Sequence, residues 1–190
     1  MIHAGDTIEN PVTGERIHFR KTSRETNGEL VEIEVAVQPN GFVAAAHVHP
    51  YQTERFEILS GTVEFRRGKE RITARAGDVV TIEPGTPHSF RNAGDDEVRF
   101  VTQVRPALQF EQLIETMFGL AGDGKTNKKG MPNPLRLAVI AKAHFDDVRR
   151  PFPPVWMQRA GLALGAPVGR LAGYRPAYVP EPGLPALEAV

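Results

Sequence analysis

The sequence predicts an all-β domain followed by a helical extension. Three observations carry this. Short apolar runs recur between turn residues through the first 105 positions, Gly (18) and Pro (16) are abundant, and helical spacing takes over after residue 105. The chain has 190 residues, 41% apolar and 24% charged, which suits a packed globular core.

The clearest strand is Val31, Ile33, Val35 and Val37 alternating with Glu32, Glu34 and Ala36, ended by Pro39-Asn40-Gly41. Further strands are expected at 56–59, 62–65, 71–75, 79–82, 88–91 and 98–104. Turn signals separate them at Ser60-Gly61, Arg67-Gly68, Gly77-Asp78, Pro84-Gly85 and Gly94-Asp95. Many short, evenly spaced strands predict a sandwich or barrel over 1–105.

Residues 106–190 are expected to form a helical extension with a Pro-rich tail. Leu113, Ile114, Met117 and Phe118 form an amphipathic stripe that Gly119, Gly122 and Gly124 are expected to break. The polar stretch 125–130 reads as a mobile loop. Asn133-Pro134 reads as a helix start, and Leu137, Ile140, Ala141, Phe145 and Val148 continue it. Pro151, Pro153 and Pro154 end that helix and start another. Trp156, Leu162, Leu164, Val168 and Leu171 are expected to pack against the barrel or a second subunit rather than a membrane, and the chain after about Tyr174 to be extended.

Composition excludes several functions. Lys+Arg and Asp+Glu both number 23, so no basic nucleic-acid footprint exists. Without cysteine there is no disulfide scaffold, thiolate zinc site, iron–sulfur cluster or thiol nucleophile. The first residues lack signal-peptide character and no apolar run is long enough to span a membrane, so a cytoplasmic location is expected.

Chemistry concentrates in two stretches. In the first, His47 and His49 share one face of a strand, and a bend at Pro50-Tyr51 brings Glu54 onto it. In the second, a strand enters the Pro84-Gly85 turn and His88 opens the next strand. Paired across a barrel, His88 completes a set with His47, His49 and Glu54. Glu54 reads as a ligand, or as a carboxylate behind the ligands acting as general base. Asn92 and the glycines at 41, 61, 77 and 85 read as backbone devices. His3, His18 and His144 lack ligand partners at useful spacing and read as structural or exposed.

These stretches resemble the cupins. The first cupin motif, Gly, five residues, His-x-His, three or four residues, Glu, six residues, Gly, is matched by Gly41, His47, His49, Glu54 and Gly61. The second is matched by Gly77, Gly85, His88 and Asn92, with Glu83 in its Pro position and Pro84 one later. The resemblance covers roughly 30–105. It implies a jelly-roll β-barrel (double-stranded β-helix), a metal inside held by His47, His49, Glu54 and His88, and a homodimer.

Three imidazoles and a carboxylate suit a divalent Fe, Mn, Ni, Cu, Co or Zn ion. The positions expected inside the barrel are Val31, Ile33, Val35, Phe56, Ile58, Val63, Phe65, Phe90 and Phe100, with no Lys or Arg among them. That lining points to an apolar or aromatic small molecule and away from the sugar isomerase or epimerase chemistry of other cupins. Arg55 and Arg91 are the loop cations within reach of the mouth. Phe56, Phe65, Phe90 and Phe100, with Tyr51 and Gln52 on the bend, are the candidate substrate contacts, although Tyr51 and Gln52 also read as surface loop residues. Two functions follow. One is a metal-dependent dioxygenase-like oxidoreductase, similar to the quercetinase-like branch. The other is a non-catalytic module that binds or senses a small molecule.

Overall fold

The computed structural model describes residues 2–178. The expected extended tail at 179–190 lies outside the described residues. Nine strands precede three helices among them. The strands are β1 (Thr7–Asn10), β2 (Glu15–Lys21), β3 (Val31–Val37), β4 (Thr53–Ser60), β5 (Thr62–Arg67), β6 (Glu70–Arg75), β7 (Val79–Ile82), β8 (His88–Asn92) and β9 (Val98–Arg105). The helices are α1 (Phe110–Gly122), α2 (Pro134–Ala143) and α3 (Val155–Leu171). None is long and apolar enough to cross a membrane.

All named strand pairs are antiparallel. One sheet runs β1-β2-β3-β9-β4-β7 and the other β6-β5-β8. Together they form the barrel that the turn spacing predicts, in the jelly-roll form that the cupin resemblance implies, with C-terminal helices against one opening. Single bridges from Phe42 to Arg91 and from His47 to His88 lay residues 42–47 alongside β8, extending the smaller sheet. The period-two pattern sets the core. Val31, Ile33, Val35, Phe56, Ile58, Val63, Phe65 and Phe100 are buried in one cluster, with Phe90 packed against it. Ring centroids of Phe56 and Phe65 lie 4.9 Å apart, and those of Phe90 and Phe100 5.3 Å, both edge to face.

Two glycines hold the β4–β5 turn and the approach to the site. Gly61 has φ 78°, and a Cβ there would meet the Val98 backbone at 2.9 Å. A Cβ on Gly41 would meet Val37 at 2.5 Å. Both positions exclude a side chain.

Several expectations are corrected. β1 and β2 were not anticipated. Gly119 does not break α1, which runs on to Gly122. α2 opens as expected, with the Asn133 side chain accepting the Arg136 N–H, but it stops at Ala143. Phe145 and Val148 belong to the turn beyond it. The 125–130 stretch lies within a turn built on Asn127, whose side-chain oxygen accepts the Lys129 and Met131 N–H groups. α3 does not pack these residues on the barrel: Trp156, Leu164, Val168 and Leu171 are exposed, and the helix meets α2 through Gly165 and Gly169, which leaves a second subunit as the expected partner of that face.

Candidate metal centre

His47, His49, Glu54 and His88 converge at one end of the barrel. One ligand atom from each lies within 4.8 Å of all the others. The two sheets contribute different parts. His47 and His88 are cross-strand neighbours on the smaller sheet's side, exchanging N–H···O bonds of 3.0 and 2.9 Å. His49 follows two residues on, and its carbonyl accepts the Gly85 N–H at the Pro-Gly turn. Glu54 comes from the larger sheet, paired with Val104 on β9 and Ile82 on β7.

Each imidazole is fixed through its Nδ1. That atom lies 2.8 Å from the Ala45 carbonyl in His47, 2.7 Å from the Asp147 carbonyl in His49, and 3.0 Å from the Thr86 carbonyl in His88. A carbonyl only accepts, so Nδ1 carries the hydrogen and donates it. Nε2 is the face left for a ligand bond in all three rings. The Gln52 side-chain oxygen adds a second acceptor for His49 Nδ1 at 2.8 Å. Its amide nitrogen donates to the Pro106 and Ala107 carbonyls, which fixes the amide's direction.

The convergent atoms fit a divalent cation. His88 Nε2 lies 2.6 Å from Glu54 Oε2, close enough for an ion pair, yet neither atom makes an aligned hydrogen bond. His49 Nε2 lies 3.6 Å from Glu54 Oε1. Burial alone would raise the Glu54 carboxyl, but His49 and His88, with His47 behind them, hold it at about 2. Burial, then the charges of His88 and His49, push the His47 imidazole down to about 3. Burial also works against a charged His88, and contact with Glu54 outweighs it, so His88 is raised. The cluster thus sets an ionised carboxylate against three imidazole Nε2 atoms, a donor set that a cation can enter.

The four convergent side chains open into a cavity of about 540 Å³ between barrel and helices. Phe56, Phe90 and Phe100 line it; Phe65 lies behind, packed on Phe56 and Phe90. Tyr51 is exposed on the bend and takes no part in the lining, and Gln52 is buried behind His49 rather than on a surface loop. Arg55 is half-buried and Arg91 exposed, bonded to Glu57 and Glu64. The arginines that do line the cavity are Arg149 and Arg150, from the connection between α2 and α3. The strand-derived lining is free of cations, as the alternation pattern indicates, but the whole lining is not. His144, Asp147 and Glu15 were also missed as site-associated groups. Asp147 acts on His49 through its backbone oxygen across 98 positions, which no residue pattern signals.

Residues 33–104 match the sequence model of the cupin domain family. The chain is 32% identical over 72 residues to polyketide synthase CurC of Streptomyces cyaneus, covering 38% of this chain and 47% of the relative. It is 30% identical over 83 residues to quercetin 2,3-dioxygenase of Bacillus subtilis, covering 44% of this chain and 25% of the relative. The chain therefore spans less than half the length of these curated relatives. Among solved structures, it is similar to a predicted oxalate decarboxylase of Thermotoga maritima, at 19% identity and TM-score 0.49 over 56% of this chain and 98% of the other. It is also similar to a conserved double-stranded β-helix protein of Klebsiella pneumoniae, at 21% identity and TM-score 0.47 over 57% and 90%. The family match begins within β3 and ends within β9, so it spans all four convergent side chains. Over that stretch the chain matches the cupin domain family.

Proposed function

We propose that the protein is a metal-dependent oxidoreductase of the dioxygenase type. Its substrate is an apolar or aromatic small molecule that chelates the metal through neighbouring oxygens. His47, His49, Glu54 and His88 hold the ion, which supplies Lewis acidity and, if redox-active, an electron path to dioxygen. The observation that carries this reading is the continuity of the ligand cluster with the aromatic wall of Phe56, Phe90 and Phe100. The quercetin 2,3-dioxygenase relative supports the same chemistry. The fixed Nδ1–H bonds keep the ligand face rigid, and the apolar wall excludes water from a bound ring.

Elemental analysis of the purified protein, followed by oxygen uptake with flavonols, catechols and diketones, tests this. The expected result is a bound redox metal and uptake that depends on substrate, with His88→Ala losing both metal and uptake. Chelator binding without turnover would assign the chain to the non-catalytic binding class instead.

A further inference from the structure

The cavity holds a fourth imidazole outside the ligand set. His144 follows α2 directly and is fully buried. Its Nδ1 lies 3.1 Å from Asp147 Oδ2. Asp147 is itself buried and held in place: its Oδ1 accepts the Gln109 N–H at 2.9 Å, and its carbonyl accepts from His49 Nδ1. The carboxylate only accepts, so His144 Nδ1 carries the hydrogen and Nε2 carries the lone pair. That Nε2 is buried without a hydrogen-bond partner among the described residues, and the residue lines the same cavity as the four ligands.

A protic chelator needs such a group. A catechol or flavonol binds a divalent ion more strongly as an anion, so one hydroxyl proton must leave as it enters. The ligand imidazoles cannot receive it, because each commits Nδ1–H to a carbonyl and Nε2 to the ion. The other carboxylate lining the cavity, Glu15, pairs with Val37, whereas Glu54 lies level with Val104 and Val31. The two are at opposite ends of β3, six residues or about 20 Å apart along the strand. His144 is tied to the metal end by Asp147. The Asp147 bond satisfies one nitrogen of His144 and leaves the second buried in the cavity wall without a partner, and a buried polar atom left so calls for an occupant that pairs with it.

We propose that His144 is a catalytic residue that takes a hydroxyl proton from the chelating substrate, with Asp147 as its positioning residue. This rests on the metal-centre reading above. The substrate O–H bond breaks, its electron pair stays on oxygen, and an N–H bond forms at His144 Nε2. No electrons change owner. Asp147 fixes the receiving tautomer and pairs with the imidazolium, and the proton returns to the departing product.

The test uses the full chain loaded with redox-silent Zn(II) and 4-nitrocatechol, whose absorbance reports its ionisation. Calorimetry in buffers of different ionisation enthalpy counts the protons released on binding. His144→Gln is expected to release about one more proton per site to buffer than the wild type, because the internal acceptor is gone. Asp147→Asn should do the same: its amide keeps the Gln109 contact, while its N–H forces His144 onto the tautomer that cannot receive a proton at Nε2. Asp147→Asn also decides the matter if His144→Gln does not fold. Equal proton release by wild type and variants at equal zinc content overturns the role of His144 and leaves the metal centre standing. Failure of the wild type to bind zinc or the chelator removes both.

Discussion

Glu15 shows how one side chain can matter without belonging to the metal end. It faces inward from β2, buried, with the Thr13 hydroxyl donating to its Oε2 at 2.7 Å. Burial pushes its carboxyl up to about 7 and the Thr13 bond offsets only part of that. Between pH 4.5 and 7 the folded chain keeps a proton that the unfolded chain has lost, so this group's contribution to stability falls as pH rises through that window and levels off above it. The difference from the ordinary value of 4.5 corresponds to at most roughly 3 kcal/mol. Glu15→Gln removes the ionisation. It should match the wild type in urea unfolding near pH 4 and exceed it by up to roughly 3 kcal/mol near pH 8. The same stability difference at both pH values would show that the buried charge is not responsible. Neither this carboxylate nor His144 was legible as a cavity group, because each gains that character from chain distant in sequence. The convergence of His47, His49, Glu54 and His88 was legible, because period-two strands and a Pro-Gly turn fix their relative faces.

At the scale of elements, what was legible followed burial on one face. β3 and β9 carry the most buried residues of the larger sheet and were read within a residue. β1 is a short edge strand with mostly exposed side chains, and β2 begins on an inward-facing charge that interrupts its Ile17/Phe19 alternation. The helix α3 misled for another reason: its large apolar residues advertise a core face, while its contact face is made of small ones. A Cβ on Gly169 would stand 2.5 Å from the Leu135 carbonyl oxygen and 2.6 Å from Val139. Backbone cannot yield there as a flexible side chain would, so Gly169→Ala forces α3 off α2. Because α3 contributes Met157, Gln158, Gly161 and Leu162 to the cavity wall, that shift loosens the wall as well. The expected loss is about 1–3 kcal/mol in denaturant unfolding. Gly161 has open space around the same ideal Cβ, so Gly161→Ala should be neutral or stabilising by up to about 1 kcal/mol. Indistinguishable behaviour of the two variants would refute the close packing of α3 on α2.

For the whole molecule, the outward face of α3 bears on assembly. Trp156, Leu164 and Leu171 are 71, 76 and 89% exposed, and helical spacing sets them with Val168 on one side of the helix. Grouped large apolar residues on a surface mark an interface more often than scattered ones do. A homodimer meeting through α3 buries this face, and Trp156, Leu164, Val168 and Leu171 are not among the residues that line the cavity. The double variant Trp156→Ser/Leu164→Ser should therefore sediment as a monomer where the wild type sediments as a dimer. Its metal content should be unchanged, because neither residue lines the cavity. Monomeric wild type, or a dimer that survives the double substitution, would remove α3 as the contact. Loss of metal alongside loss of the dimer would instead mean that assembly holds the helical extension, and with it the Asp147 carbonyl, against His49.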